Sequence, residues 1–186
     1  MVKKIVVLVV FFLLVLFLFF KFVKDKKPEV VIKNSEDENT YNSNILENVE
    51  YISKDTKGNE YIIRAARGEI DFNNNDIIFL EEVSSLIKLT NSNVINITSD
   101  FGKYNAANYD TIFSKNVIIT YLENKITGGY LDFSWDKNLM IISKNVILEN
   151  KNNTLKADVI EVNIKSRDIK IFMYEENKKV NIKSQN

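Results

Sequence analysis

From Ile45 onward, apolar and polar residues alternate with a period of two. Val94-Ile95-Asn96-Ile97-Thr98, Leu131-Asp132-Phe133-Ser134-Trp135 and Ile160-Glu161-Val162-Asn163-Ile164 each put apolar side chains on one face and polar ones on the other. Successive Cβ atoms of a strand point to opposite sides, so this pattern predicts half-buried β-strands. Polar clusters separate the runs: Lys57-Gly58-Asn59, Asn73-Asn74-Asn75-Asp76, Asn105 to Asn108, Asp136-Lys137-Asn138, Asn150 to Asn153, Ser166-Arg167-Asp168 and Glu176-Asn177-Lys178. β-Rich runs at a spacing of about 8–12 residues predict an all-β, meandering antiparallel structure. No segment of this region sustains a 3.6-residue period.

The first 44 residues follow other rules. Ile5 to Phe20 is sixteen consecutive residues drawn from Ile, Val, Leu and Phe, and Phe22-Val23 resume after Lys21. A helix over Ile5 to Val23 is roughly 28 Å long, close to the ~30 Å hydrocarbon core. Lys21 can snorkel to the interface. Residues 1–23 are therefore expected to form a transmembrane anchor. A cleaved signal peptide needs small residues at its end, and Lys21-Phe22-Val23-Lys24-Asp25-Lys26-Lys27-Pro28 offers none. Residues 24–44, charged and Asn-rich with the chain's one proline, read as a polar tether able to span about 70 Å. Val30-Val31-Ile32 is a candidate short strand within it. Residues 45–186 are then the β-domain. Lysines flank the anchor on both sides (Lys3 and Lys4; Lys21, Lys24, Lys26 and Lys27), so the positive-inside rule does not fix its orientation.

The strand region contains a weak internal repeat. Ser114-Lys115-Asn116-Val117 recurs as Ser143-Lys144-Asn145-Val146, and Glu81-Glu82-Val83 occupies a similar place. Gly68 precedes Val83, and Gly102 precedes Val117, by the same fifteen residues. Units of ~30 residues that cannot bury their own apolar face must stack on their neighbours.

Composition removes several functions. Lys plus Arg and Asp plus Glu are both 25, so zero net charge gives no support to a nucleic-acid partner. With no Cys and no His, there is no thiolate nucleophile and no imidazole base, the commonest metal ligand is missing, and no zinc-binding spacing occurs. No phosphate-binding glycine pattern occurs, and no cofactor is implied. Heavy use of Lys, Asn and Ile reads as coding bias. The carboxylates Glu69, Asp71, Asp132 and Glu161 each alternate with apolar neighbours, the pattern of a solvent face rather than of an acid–base pair.

The informative chemistry is the apolar face. Alternation gathers Ile70, Phe72, Ile95, Ile97, Val117, Ile119, Tyr121, Leu131, Phe133, Met140, Ile142, Val146, Leu148, Ile160, Val162 and Ile164. Such a face closes into a sandwich core or lines an apolar groove. Alternation does not choose between them.

The order of these features resembles the LptC family, the bitopic component of lipopolysaccharide export. Asn48-Val49-Glu50-Tyr51 precedes a turn, and Gly58-Asn59-Glu60-Tyr61 opens the next strand as the family's Gly-x-x-Tyr element. Ile62 to Ala66 follows. The two Ser-Lys-Asn-Val segments resemble a step shared with the related LptA domain, and Leu155 to Glu161 resembles a late strand of the family. The family often has Gly where Lys144 or Asn145 stands.

The resemblance implies a twisted, partly open antiparallel β-jellyroll in the periplasm, held by one inner-membrane helix. It implies no enzymatic activity. It implies partners: the LptB/LptF/LptG transporter, which supplies lipopolysaccharide, and LptA, which receives it. Acyl chains would then lie against Phe72, Ile95, Ile97, Val117, Ile119, Tyr121, Leu131, Phe133, Met140, Ile142, Val146, Ile160 and Val162. Partner edges would involve Val49, Tyr51 and Gly58 on the transporter side, and Ile169, Ile171, Met173, Val180 and Ile182 on the LptA side. The alternative is a membrane-anchored adaptor with a closed β-sandwich core and no lipid binding.

Overall fold

The polar clusters between apolar runs become turns, and asparagine makes many of them. The side-chain oxygens of Asp71, Asn74, Asn105, Asn108, Asn150 and Asn163 each accept a backbone N–H two residues on, at 2.9–3.1 Å. This is the Asx-turn geometry that lets a short polar side chain substitute for a backbone turn. The asparagine content thus has a structural use that a coding-bias reading missed.

The computed structural model describes residues 44–54, 58–90, 92–175 and 177–184. The expected anchor (1–23), and the tether with Val30–Ile32 up to residue 43, lie outside the described residues. The strands are β1 (Ile45–Lys54), β2 (Glu60–Asp71), β3 (Asn74–Lys88), β4 (Ile95–Asn105), β5 (Thr111–Tyr121), β6 (Asn124–Ser134), β7 (Leu139–Glu149), β8 (Asn153–Asn163), β9 (Ile169–Phe172) and β10 (Asn181–Ser184). Each of β1 to β8 pairs antiparallel with the next, and both β9 and β10 pair with β8. There is no helix among the described residues. The result is one antiparallel meander without crossovers.

One sheet makes two layers because its long strands change direction at mid-length. Residues with left-handed backbone lie at the same level in alternate strands: Asn48 in β1, Glu82 in β3, Lys115-Asn116 in β5 and Lys144-Asn145 in β7. Ladder irregularities fall at this level between β4, β5, β6, β7 and β8. Bulges bend and twist strands, and a row of them forms a fold line across the sheet. At this line the inward set steps by three residues instead of two: Leu46 to Val49, Ala65 to Gly68, Leu80 to Val83, Ser99 to Gly102, Gly128 to Leu131 and Ala157 to Ile160. In β5 and β7 two left-handed residues make it four, Phe113 to Val117 and Ile142 to Val146.

The repeat seen in the sequence is this line. Val49, Val83, Val117 and Val146 each follow a left-handed residue and are 1–3% exposed. Asn48-Val49 is a fourth copy. A non-glycine residue with positive φ costs roughly 1–2 kcal/mol, less for Asn. Glu82→Gly is therefore expected to raise stability by about 0.5–1 kcal/mol after glycine's entropy cost, measured as a later urea midpoint.

Contacts across the fold bring the layers together. Tyr51 of the upper half of β1 packs on Tyr104 of the lower half of β4, with centroids 4.9 Å apart and the rings tilted by 32°. Tyr61, in the upper half of β2, meets Phe133 at 4.8 Å, at the lower end of β6, and Trp135 at 6.0 Å, just beyond that strand. Its hydroxyl donates to Thr111 Oγ1 at 3.0 Å. Upper strands thus face lower strands three or four places further along the sheet, an offset of the kind that sheet twist produces.

Candidate lipid-facing site and docking edges

Of the inward rows that run along the ladders, three reach β9 or β10. In the lower layer, Leu46, Gly68, Leu80, Gly102, Phe113, Leu131, Ile142, Ile160 and Ile171 are paired in register across nine strands. Beside it runs Ile70, Ile78, Tyr104, Thr111, Phe133, Met140, Val162 and Ile169. In the upper layer the row is Tyr51, Ile63, Ser85, Ile97, Ile119, Ile126, Leu148, Leu155 and Ile182.

Burial along the upper row is uneven. Tyr51 to Ile119 are at most 5% exposed. Ile126, Leu148 and Leu155 are half-buried, and Ile182 is 67% exposed. Next to the fold line, Val146 and Ala157 remain buried. The offset explains this gradient: upper strands near the C-terminal edge have no lower strands left to face. In the upper row burial is complete at the β1 side and falls toward the β8–β10 side. In the lower layer the same edge leaves Val162 and Ile171 half-buried and Ile169 56% exposed.

The sequence candidates divide accordingly. Ile97, Val117, Ile119, Leu131, Phe133, Met140, Ile142, Val146 and Ile160 form the buried core. Ile95, Tyr121 and Val162 are half-buried. Phe72 is a correction to the alternation reading, because it sits in the β2–β3 turn and is 82% exposed. The strand ends at Asp71, whose carboxylate accepts the Asn73 N–H and turns the chain. The half-buried strip Ile126–Leu148–Leu155 was not singled out as a site from the sequence, since only the offset of the layers distinguishes it from core.

Among the edge candidates, Val49 and Tyr51 lie on β1, which pairs only with β2 among the described residues. Their side chains point inward and are buried. Gly58 lies outside that strand, before β2, with φ +84. Ile169 and Ile171 are on β9 and Ile182 on β10. Met173 and Val180 fall in the segment between them, and Met173 packs against the core.

The polar groups inside are satisfied. Ser85 Oγ donates to the Ile62 carbonyl at 2.9 Å, and no buried side-chain N or O among the described residues lacks a partner. Burial pushes the Tyr61 and Tyr104 phenols well above their ordinary value near 10. The folded state therefore keeps protons that the unfolded chain gives up. This stabilisation is whole below about pH 10 and is lost as pH rises beyond it. Tyr104→Phe is expected to flatten the alkaline limb of the stability profile, read by urea titration between pH 8 and 11.

The carboxylates stay on the outer faces. Glu161 pairs with Lys170 at 3.0 Å, Arg67 lies between Glu69 at 3.9 Å and Glu81 at 3.4 Å, and Asp132 is exposed. No two of the four candidates are joined by a hydrogen bond or a shared partner. Outside, lysines also cover aromatic rings, Lys115 over Phe101 at 4.8 Å and Lys144 over Tyr130 at 5.3 Å.

An antiparallel meander folded along a row of bulges, with an apolar interior whose burial falls toward one edge, defines a class of β-domain. Among solved structures it is similar in fold to LptH of Pseudomonas aeruginosa, described as the LptA-homologous periplasmic component of the lipopolysaccharide transport device. The TM-score is 0.51 and the identity 10%, over 68% of this chain and 95% of that one. Comparison with curated proteins gives no match. The family model for LptC-related lipopolysaccharide assembly matches residues 6–174. The chain belongs to that LptC family.

Proposed function

We propose that this chain is the single-pass component linking an inner-membrane lipopolysaccharide transporter to a periplasmic bridge. Residues 1–23 anchor it, 24–44 tether it, and 45–186 form the periplasmic domain. LptB, LptF and LptG would lie on the transporter side and LptA beyond the C-terminal edge. The protein moves lipid without chemistry of its own, by offering an apolar surface. The observation that carries this reading is the half-buried strip Ile126–Leu148–Leu155 continuing the core out to the C-terminal edge. Each methylene that an acyl chain buries there is worth about 0.8 kcal/mol. Free main-chain groups on edge strands suit strand addition by a partner, with β1 assigned to the transporter and β9–β10 to LptA.

The adaptor reading keeps one observation in its favour, the filled centre. Phe113, Leu131, Phe133 and Ile142 are all 0% exposed, leaving no room for lipid between the layers. Photocrosslinking in cells separates the two. A photoreactive residue at Leu148 or Leu155 is expected to give a lipopolysaccharide adduct, and one at Phe133 none. Absence of adducts at Ile126, Leu148, Leu155 and Ile182, with transporter crosslinks intact, would leave the adaptor.

A further inference from the structure

The last strand of the sheet is broken in two. β9 and β10 run antiparallel to β8 along the same edge, β9 on Val159–Val162 and β10 on Asn153–Lys156. Three steps along β8, from Val159 to Lys156, are matched by nine along the closing chain, from Phe172 to Asn181. The chain leaves the sheet after Phe172, where the Tyr174 N–H donates to Asp158 Oδ2 at 3.0 Å, and returns as a separate strand.

β10 is poorly held. It has four residues, all exposed, and its one apolar side chain, Ile182, is 67% exposed. A ladder this short adds little burial to offset the entropy of closing the loop before it. Segments with few apolar contacts open locally at low free-energy cost. Yet β10 occupies the upper edge of β8, beside the strip formed by Leu155, Leu148 and Ile126. Lys183 adjoins Ile182, a charge of the kind that discourages strand addition.

We propose that β10 is a displaceable cap, which blunts the β8 edge in the resting protein and gives way, strand for strand, to the edge strand of a partner β-domain. The incoming strand pairs with β8 from Asn153 onward and lays its own apolar residues over the strip, which β10 covers only through Ile182. This rests on the docking of LptA at the C-terminal edge proposed above.

The test uses the full chain in nanodiscs and purified LptA from the same organism. The chain has no cysteine, so Leu155→Cys with Ile182→Cys, which face each other in register, creates its only thiol pair. Cross-strand neighbours have the Cα separation a disulfide needs. The oxidised protein is expected to bind LptA at least tenfold more weakly than the reduced one, and a chain ending at Val180 several-fold more tightly than the full chain. Equal binding of the oxidised and reduced forms overturns the cap. So does loss of binding on truncation, because β10 would then be the docking strand itself. If no form binds LptA, the docking assignment fails. Hydrogen exchange without LptA then judges the cap separately: Asn181–Ser184 amides exchanging at least a hundredfold faster than those of β7 support it, and equal protection overturns it.

Discussion

Phe133→Ala is expected to lower the unfolding free energy by about 3–5 kcal/mol, seen as an earlier urea midpoint with an unchanged slope. Phe133 has no exposed surface and sits in the lower inward row between Thr111 and Met140. Its ring lies 4.8 Å from Tyr61 and 6.2 Å from Trp135, so it is where the upper layer rests on the lower one. Truncation would open a cavity walled by rigid strands, under a Tyr61 side chain already tethered to Thr111. A domain of this size has about 5–15 kcal/mol in total, so this one change removes a large share. Phe72→Ala deletes the same side chain from the β2–β3 turn and is expected to change stability by less than about 0.5 kcal/mol. Similar effects of the two substitutions would mean that the layers do not meet at Phe133.

The contrast between those two phenylalanines shows where sequence reasoning carries and where it stops. Alternation located the strands and the inward residues Ile97, Ile119, Leu131 and Ile160, because a half-buried strand imposes a period of two on its own sequence. It misplaced Phe72 because the period continues on paper past the residue where Asp71 turns the chain. The fold line was visible only as a repeat. Asn48, Asn116 and Asn145 are of the type that tolerates a left-handed backbone, but Lys115, Lys144 and Glu82 are not, and the three- and four-residue steps look like noise in a strict alternation. The C-terminal edge came from the resemblance alone, and alternation did not mark it. Leu148 and Leu155 have the same local pattern as Ile119, and they differ only in what stands opposite, which depends on the offset between halves of the sheet.

Gly128→Ala is expected to destabilise by about 1–3 kcal/mol, the cost of overpacking, although it adds a single methyl group. A Cβ at Gly128 would lie 2.9 Å from Ile142 Cγ2 and 3.1 Å from the Ser143 carbonyl oxygen. Ile142 has no exposed surface and cannot swing away. Ser143 is backbone, and it leads directly into the left-handed pair Lys144-Asn145. The methyl group therefore presses on the bulge that turns β7 across the fold line, and relief requires moving the line itself. Gly68→Ala provides the comparison, since its added Cβ would meet Ile78, Leu80 and Val49 side chains at an ordinary 3.5 Å. That substitution is expected to be neutral within about 0.5 kcal/mol. If Gly128→Ala is equally mild, the fold line is pliable. The two layers could then part there to admit acyl chains between them, and photoreactive residues at Phe133 and Ile119 would become the positions to test.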